Sequence, residues 1–380
     1  MVWADTEIAC RSRYPDRGSA GSAAHGIESD SRTVKEASAL TVTTFIPPAR
    51  RPAEILARAR TLLDPVLRES VLTLPEPMRH LAGYHFGWWD ERGNPMHADP
   101  GKMLRPALVT STAFACDGGA GPAATAAAAV ELVHNFTLIH DDVMDADPVR
   151  RGRPAVWRVW GMADAVLLGD ALHALATNVL AALATPRTAM AAIERLETTV
   201  TEMCRGQHAD CHGDAAAASL AGWESTAMGK TGALFGCACA LGALSAGADD
   251  ETVCGFDRFG RDLGVAFQAV DDILGVWGDP ARSGKPTADL AHRKRGLPIV
   301  LALESGTAAG CELAELYQRE APLSPQEIVW AARLVDKAGG RRGAERLARR
   351  RLRSALAALP NGSGYSDLVT LAHLVAHRNR

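Results

Sequence analysis

Hydrophobic residues recur at spacings of three and four positions along most of the chain from Pro52 onward. This period predicts amphipathic helices. The predicted helical segments are 53–74, 103–117, 123–141, 161–184, 188–212, 222–246, 252–277, 297–304, 325–337 and 343–359. Aromatic residues make up only 5% of the sequence, and alanine-rich stretches such as Ala123 to Val130 favour helix over strand. The pattern predicts an all-α fold, a large single-domain helical bundle.

The first 47 residues lack this helical period. Small and polar runs at 18–24 and 29–31 predict a disordered extension. The predicted organisation is therefore an N-terminal extension over residues 1–47 and a helical domain over residues 48–380. No uninterrupted apolar run reaches about 18 residues, so we expect no membrane-spanning helix. The N-terminus also shows no pattern typical of a secretion signal.

Composition and charge narrow the possible partners. Hydrophobic residues account for 47% and charged residues for 22% of the chain, as in soluble globular proteins. The net charge of -3 gives no reason to expect nucleic acid or a membrane surface as a partner. The 8 cysteines lack the spacing of a disulfide framework, which predicts reduced thiols and a cytoplasmic protein.

Two aspartate-rich segments lie at the ends of predicted helices. The first contains Asp141, Asp142 and Asp145, and the second contains Asp271 and Asp272. Asp141 and Asp145 are four positions apart, so they lie on one helix face, and such close like charges repel unless a cation intervenes. Magnesium prefers carboxylate and phosphate oxygens. Either segment alone is also typical of a solvated helix end, but together they favour two facing helices that hold a diphosphate through Mg²⁺.

Basic and polar side chains accompany both acidic segments. Lys102 and Arg105 precede the first segment, and Arg150 and Arg151 follow it. Guanidinium groups match phosphate oxygens in pairs, so these residues suit one or two diphosphates. Further candidates on the same helix faces, or in a loop beside them, are His134, Lys230, Thr231, Gln268 and Lys285. Each one alone is more often an ordinary surface group, and only their shared relation to the aspartates indicates a site.

These segments together resemble a known family. They are Gly-Lys-x-x-Arg-Pro at 101–106, HNFTLIHDDVMD at 134–145, Arg-Arg-Gly at 150–152, Lys-Thr-Gly at 230–232 and Phe-Gln-x-x-Asp-Asp at 267–272. In this order and spacing the chain resembles the trans-isoprenyl diphosphate synthases of the polyprenyl synthetase family, over about residues 100–298. The resemblance implies an isoprenoid-synthase bundle with a central cavity, and a homodimer. It also implies condensation of an allylic diphosphate with isopentenyl diphosphate by Mg²⁺-assisted ionisation, carbon–carbon bond formation and loss of a proton.

The resemblance further implies a role for each site residue. Asp141, Asp145 and Asp271 would bind three magnesium ions on the allylic diphosphate, with Asp142 and Asp272 in support. The same diphosphate would be contacted by Arg150, Lys230 and Lys285, and its reacting end by Thr231 and Gln268. Four residues would hold isopentenyl diphosphate: Lys102, Arg105, His134 and Arg151. Two more resemble a family segment near the pocket, Gln207 and Asp210.

Three positions bear on how the chain departs from the family and on product length. Gly275 stands where the second acidic segment often ends in aspartate. Phe136 and Thr137 lie five and four positions before Asp141, so a helix places them below the aspartates, toward a growing tail. A large Phe136 beside a small Thr137 resembles synthases of the C20 product, geranylgeranyl diphosphate. The C15 product farnesyl diphosphate remains an alternative, as does Phe136 as ordinary core packing.

Other functions have weaker support. A class I terpene cyclase would also use an aspartate-rich segment and Mg²⁺, but has no use for a second diphosphate site at Lys102, Arg105 and His134. A non-catalytic subunit of a prenyl synthase would typically lack acidic or basic groups that this chain retains. A zinc site is disfavoured because its four candidate ligands do not share one helix face: Cys204, His208, Cys211 and His212.

Overall fold

The structure is a computed structural model of the 380-residue chain. It describes residues 50–96, 98, 101–212, 219–278, 288–319, 321–360 and 364–376. The predicted extension over residues 1–47 and the predicted site residue Lys285 lie outside these ranges, so both stay predictions.

The described residues form an almost entirely helical bundle. Its α-helices are, in chain order, α1 (Pro52–Leu72), α2 (Met78–His85), α3 (Leu104–Ala115), α4 (Ala120–Met144), α5 (Val156–Trp160), α6 (Met162–Ala181), α7 (Pro186–His212), α8 (Leu220–Ala227), α9 (Ala233–Ser245), α10 (Asp250–Trp277), α11 (Ala288–Ala291), α12 (Leu297–Leu303), α13 (Ala308–Gln318), α14 (Pro325–Lys337), α15 (Gly340–Ala357) and α16 (Ser366–Ala376). A π-helical turn, Met228–Gly232, joins α8 to α9. Two short strands, β1 (Val149–Arg150) and β2 (Arg153–Pro154), follow α4.

The all-α prediction is confirmed, and each of the ten predicted segments contains a helix. The helices that the pattern did not predict are α2, α5, α11, α13 and α16, which are at most 11 residues long. Such short helices span too few turns to display a clear apolar period. The helix that carries the first acidic segment is longer than predicted, because α4 begins at Ala120 and ends at Met144.

The two helices that carry the acidic segments are held by the apolar α9 at the centre of the bundle. Eleven of the 13 residues of α9 are buried, and α9 packs against α3, α4, α7 and α10. The long helix α10 starts with a capped turn, because the Asp249 carboxylate accepts a hydrogen bond from Thr252 N at 2.8 Å. The opposite side of α10 packs on α15. Both acidic helices therefore have fixed positions around one core element.

Two described stretches are long and apolar enough, by length and composition alone, to cross a membrane. In Leu220–Ser245, 83% of the most apolar window is buried inside the protein, so helix packing accounts for its apolar character. In Met162–Ala181 that share is 44%, and Met162, Val166 and Leu167 are exposed. The expectation that the protein does not insert into a membrane stays a prediction.

The β1–β2 hairpin was also not predicted by the helical pattern. Arg150 pairs with Arg153 across the two strands, and the turn between them contains Arg151 and Gly152 with φ of 50° and 75°. Left-handed conformation at both central residues is typical of the two-residue hairpin turn. Tyr84 anchors the hairpin to α2, since its hydroxyl donates to Pro154 O at 2.8 Å. The turn thereby fixes the directions of the two arginines.

Candidate active site

A cavity of about 570 Å³ lies between the helices that carry the two acidic segments. Its walls come from α4, from α7, from the π-helical turn and from α10. Residues from the first acidic helix and from the second line the same space, among them Asp141 and Met144 from α4 and Phe267 and Gln268 from α10. The first segment thus reaches the pocket through Asp141, and the helix of the second segment reaches it through Phe267 and Gln268, four and three positions before Asp271.

The first acidic segment divides into a carboxylate that faces the cavity and one that is buried. Asp141 lines the cavity, and Asp145 is exposed one turn later. Asp142 is buried and forms an ion pair with Arg150, whose Nε lies 2.9 Å from Oδ1 and 3.1 Å from Oδ2. The Nη2 atom of Arg150 also contacts Asp142. Asp142 therefore orients Arg150, whose Nη1 takes no part in this pair.

The electrostatics of Asp141 fit a divalent cation. Burial raises the pKa of this carboxyl group; Asp145 and Asp210 also raise it, whereas Lys230 and Arg150 lower it. A bound cation would relieve this penalty on the ionised form. Among the described residues, no three acidic, histidine or cysteine side chains converge to hold a metal by themselves. Carboxylates that leave coordination positions open suit Mg²⁺, which completes its shell with water and diphosphate oxygens.

The second acidic segment divides in the same way. Asp271 is exposed, whereas Asp272 is buried. Oδ2 of Asp272 accepts hydrogen bonds from Trp223 Nε1 at 2.7 Å and from Leu297 N at 2.7 Å. Its Oδ1 accepts from Gln268 Nε2 at 2.8 Å. Burial raises the pKa of Asp272 to about 6, although all three hydrogen bonds lower it. Asp272 therefore connects α8, α10 and the start of α12 and leaves Asp271 as the solvent-facing acid.

A chain of hydrogen bonds runs from Asp272 to the cavity wall. Gln268 donates through Nε2 to Asp272, so its Oε1 is left to accept the Thr231 hydroxyl proton at 2.8 Å. Thr231 and Gln268 both line the cavity. With its proton committed to Gln268, the Thr231 hydroxyl presents lone pairs in its remaining directions. This wall of the pocket can therefore face a positive charge.

The π-helical turn positions Lys230. Gly206 of α7 lets the two backbones meet closely, because a Cβ at this position would lie 2.6 Å from Lys230 N. The Lys230 ammonium donates to Asp210 Oδ2 at 2.6 Å and lines the cavity. Although burial lowers the pKa of Lys230, the carboxylates of Asp210 and Asp141 raise it above its ordinary value. The ammonium is therefore fully charged where a diphosphate would meet Asp141.

A second basic group lies beside the first. The Nη1 atom of Arg105 is 3.1 Å from Nε2 of His134, and both residues line the cavity. Arg151 lies near the same group, because its charge lowers the pKa of His134, and it approaches Gly101, where a Cβ would lie 3.2 Å from its Nη2. Lys102 follows Gly101 and is exposed. Burial, together with Arg105 and Arg151, holds the pKa of His134 well below its usual value. Neutral His134 can accept a hydrogen bond from Arg105 through Nε2, which orients the guanidinium group at the cavity wall.

Buried polar residues beneath this basic group were missed by the sequence patterns. Asn135 donates through Nδ2 to the carboxylate of Glu131 at 2.8 Å, so its Oδ1 accepts from Nε2 of His85 at 3.0 Å. All three side chains are buried. Burial raises the pKa of Glu131, whereas the charges of Arg151 and Arg105 lower it. Asn135 lies next to His134 in the sequence, and its buried neighbours emerge only once α2 packs near α4.

His85 makes a testable contribution to acid stability. Burial, with the charge of Arg151, lowers the pKa of His85 to about 3. The unfolded chain takes up this proton near pH 6.5, so stability is complete above that pH and is lost as the pH falls toward 3. At pH 4.5 the loss should be about 3 kcal/mol. In His85→Gln, whose amide can still donate to Asn135, the fall in unfolding free energy between pH 7 and 4.5 should be smaller by about that amount. Urea denaturation at both pH values measures it, and an equal fall in both proteins would contradict the assignment.

Phe136 is one of the aromatic residues that line the cavity. Its ring stacks on His173 with centroids 5.2 Å apart and meets His140 edge-on at 5.6 Å. His173 is fixed in turn by Glu197, whose Oε2 lies 2.9 Å from Nε2 of the imidazole. Only 8% of Phe136 is exposed, and Thr137 lines the cavity beside it. The Phe136 ring is therefore held in place by its neighbours, five positions before Asp141 on α4.

The four residues considered as zinc ligands lie along one wall of the cavity, on α7. The rings of His208 and His212 stack with centroids 4.1 Å apart, and Gln207 Nε2 contacts Cys211 Sγ at 3.5 Å. Within the described ranges no group of these side chains is arranged to bind a metal. Gln207 also lines the cavity, and Asp210 on the same helix accepts a hydrogen bond from Lys230, so the family segment on α7 contributes to the site.

A largely apolar cavity whose lining also includes aromatic, acidic and basic side chains suits an enzyme that acts on diphosphate esters of apolar chains. The sequence model of the Polyprenyl synthetase family matches residues 88–335. The geranylgeranyl diphosphate synthase of Mycobacterium tuberculosis is 47% identical over 333 residues, which are 87% of this chain and 95% of that protein. The (2E,6E)-farnesyl diphosphate synthase of the same species is 39% identical over 339 residues, 87% of this chain and 94% of that protein.

A solved structure is similar over almost its whole length. The polyprenyl synthetase of Streptomyces coelicolor A3(2) superimposes with a TM-score of 0.81 at 41% identity, covering 85% of this chain and 99% of that chain. The chain therefore belongs to the polyprenyl synthetase family, and it is a prenyltransferase. Members of this family act on allylic diphosphates and isopentenyl diphosphate and use Mg²⁺ for catalysis.

Proposed function

We propose that this protein is a short-chain synthase that condenses an allylic diphosphate with isopentenyl diphosphate and releases geranylgeranyl diphosphate. The observation that carries this proposal is the shared cavity: one set of charged groups surrounds Asp141 and Lys230, and a second surrounds Arg105 and His134. Two diphosphate sites at one apolar pocket suit a reaction that joins two diphosphate esters. The M. tuberculosis relative named as a geranylgeranyl diphosphate synthase supports the same product.

Different residues of the chain would bind the metal and the allylic diphosphate. Asp141, Asp145 and Asp271 would hold Mg²⁺, three ions in our proposal. The metal would supply positive charge that stabilises the leaving diphosphate. Lys230 and the Nη1 group of Arg150 would bind the oxygens of that diphosphate, with Lys285 in the same role.

The second substrate would lie beside the first. Arg105, Arg151 and Lys102 would bind isopentenyl diphosphate, and the neutral His134 would orient Arg105. The hydroxyl oxygen of Thr231 would face the allylic cation, because its proton is donated to Gln268 Oε1, and Gln268 is held in turn by its hydrogen bond to Asp272. Apolar side chains such as Phe267 and Met203 line the cavity and would exclude water that would otherwise quench the cation.

Purified protein alone tests the proposal. It should convert isopentenyl diphosphate in the presence of Mg²⁺ and each of the C5, C10 and C15 allylic diphosphates, with one equivalent of diphosphate released per condensation. Chelation of the metal should abolish turnover, and its return should restore turnover. Product from an allylic diphosphate without isopentenyl diphosphate would instead indicate a terpene cyclase. No turnover under any of these conditions would indicate a non-catalytic subunit.

Product length should depend on Phe136. In Phe136→Ala the floor of the cavity is removed, so the tail can extend toward His173, and chromatography should show products longer than those of the wild type. Phe136→Leu is the matched control, since it keeps an apolar floor of smaller volume and should shift the distribution less. Products of unchanged length in Phe136→Ala would show that another residue ends the chain. A wild-type product of C15 would leave Phe136 as the floor of a farnesyl diphosphate synthase.

We also propose a cytoplasmic homodimer, with no nucleic acid and no membrane insertion. The exposed apolar side chains of Met162, Val166 and Leu167 on α6 support an interface there, because burial of such groups stabilises association. Light scattering should give about twice the chain mass of 40.2 kDa, and a mass equal to one chain would contradict the dimer.

A further inference from the structure

The exposed face of α15 carries a straight row of arginines. The helix contains seven arginines and one glutamate in 18 residues, although the whole chain has a net charge of -3. Four of the arginines are exposed and follow one another at spacings of four, three and four positions: Arg342, Arg346, Arg349 and Arg353. Such spacings place side chains on one face of a helix, so these four residues form a basic stripe about 16 Å long.

The arginines of α15 that lie outside the basic stripe have acidic partners in the fold. Arg351, for example, is partly buried and pairs with Asp262 at 2.8 Å and with Glu224 at 3.2 Å. Within the stripe, Arg349 alone has an acidic partner among the described residues, and Glu345 lies 3.8 Å from it. Like charges three and four positions apart destabilise a helix. Ion pairs within the described protein therefore leave most of the charge of the stripe uncompensated.

The basic stripe is separate from the two proposed diphosphate sites. The opposite, buried face of α15 includes Ala344, Leu347 and Ala348, which belong to one apolar cluster with Val265 and Ala269 of α10. The stripe consequently lies on the side of α15 that faces away from α10. As far as the structure describes the chain, the lining of the cavity includes no arginine of α15. The stripe is thus suited to a ligand other than the substrates in the cavity.

We propose that the basic stripe docks the protein on a membrane surface that contains anionic phospholipids. Guanidinium groups bind phosphate oxygens, and a cluster of about four to eight basic residues on an amphipathic helix suits an anionic lipid surface. Because the apolar face of α15 is buried in the bundle, the helix would lie on the lipid headgroups without insertion into the hydrocarbon core. Each arginine would strengthen binding roughly fivefold, so the contact would be reversible and sensitive to salt.

The choice of a lipid surface over another polyanion rests on the function proposed above. Geranylgeranyl diphosphate joins a long apolar chain to a charged headgroup, so it partitions into membranes. An enzyme held at the membrane surface would release this product where the apolar chain can leave water. The proposed reaction has no step that uses nucleic acid. A second copy of this chain is a poor occupant, because a two-fold contact would bring the basic stripe against itself.

Co-sedimentation of the full-length protein with lipid vesicles tests this surface. Wild-type protein should bind phosphatidylcholine vesicles that contain about 30% phosphatidylglycerol, and it should not bind vesicles of phosphatidylcholine alone. An increase of NaCl from about 0.1 M to about 1 M should release the protein, because the screening length falls from about 10 Å to about 3 Å. In the triple variant Arg342→Gln/Arg346→Gln/Arg353→Gln, the partition coefficient should fall about a hundredfold.

A second triple variant removes the same charge away from the basic stripe. Arg92→Gln/Arg187→Gln/Arg258→Gln changes exposed arginines of a turn, of α7 and of α10, and binding should fall by less than about threefold. Arg342→Lys/Arg346→Lys/Arg353→Lys keeps the charge of the stripe and should keep most of the binding. Glutamine and lysine are both good helix formers, so all three variants should unfold at the wild-type temperature.

Three results would overturn the proposal. They are equal losses of binding in the two glutamine variants, no binding of the wild type to anionic vesicles at low salt, and tighter binding to duplex DNA than to these vesicles. The last result would make the basic stripe a nucleic-acid surface. The vesicle assay contains no substrate, so its outcome is independent of turnover. Protein that binds vesicles but forms no prenyl diphosphate would refute the proposed function alone, whereas active enzyme that binds no vesicles would refute the docking surface alone.

Discussion

Asp141→Asn should lower kcat/KM by about a thousandfold. The substitution keeps the shape of the side chain but removes the charge that would bind Mg²⁺ at the cavity. Lys230 keeps its ion pair with Asp210, so the basic part of the site remains in place. Steady-state kinetics with saturating Mg²⁺ and both diphosphates measures the effect. A loss of less than tenfold would show that Asp141 is not a principal metal ligand.

Stability distinguishes this loss of function from a loss of fold. Burial and nearby carboxylates raise the pKa of Asp141, so its ionised form is disfavoured in the metal-free protein. Without Mg²⁺, Asp141→Asn should therefore unfold at the wild-type temperature or slightly above it. The increase in unfolding temperature given by Mg²⁺ with diphosphate should disappear. Asp250→Asn, an exposed aspartate in the first turn of α10, is the matched control and should keep both activity and the Mg²⁺ response.

Much of the fold was predictable because its helices are long. Helices such as α4, α7 and α10 have 25 to 28 residues, enough turns for an apolar period to be clear. The spacing of Asp141 and Asp145 depends on local geometry alone, so the sequence was sufficient to place them on one face. Helices of 11 residues or fewer, and the hairpin that carries Arg150 and Arg151, depend on packing partners that are distant in sequence.

The sequence alone could not predict which aspartate of each Asp-Asp pair is buried and which faces the cavity or solvent. Asp141 and Asp142 are the same residue type at neighbouring positions of the sequence. Only the fold shows that Asp142 is buried against Arg150. Likewise, the side chain beside Gly275 comes from α11, 14 positions later, and no local spacing indicates it. The π-helical turn at Lys230 is only 5 residues long, so no hydrophobic period in the sequence predicts it. It forms where Gly206 of α7 permits close backbone approach.

Two replacements of Asp272 should have different effects: Asp272→Ala should lower stability, and Asp272→Asn should lower kcat. Asp272→Ala leaves two buried donors, Trp223 Nε1 and Leu297 N, and the partly buried Gln268 Nε2 without their acceptor. Because each unsatisfied buried group costs about 1–3 kcal/mol, the unfolding free energy should fall by about 4 kcal/mol. Chemical denaturation measures this loss. A fall of less than about 1 kcal/mol would mean that water replaces the carboxylate.

Asp272→Asn should instead keep most of the stability and reduce kcat about tenfold or more. The amide oxygen of the new residue can accept from Trp223 and Leu297, but its NH₂ group then faces the NH₂ group of Gln268. Rotation of the Gln268 amide relieves this conflict, and Nε2 of Gln268 then donates to Thr231, whose hydroxyl proton must turn away from Gln268. A proton that points into the cavity would oppose an allylic cation.

A second substitution tests this reversal directly. In Asp272→Asn/Gln268→Glu, the new carboxylate accepts both from the asparagine amide and from the Thr231 hydroxyl, which restores the original direction of the hydrogen bonds. The total charge of the pair is unchanged. The double variant should therefore recover a large part of the kcat lost in Asp272→Asn, with similar unfolding free energies in all three proteins. If Asp272→Asn has wild-type kcat, or if the second substitution lowers kcat further, the direction of the Thr231 hydroxyl does not control the ionisation step.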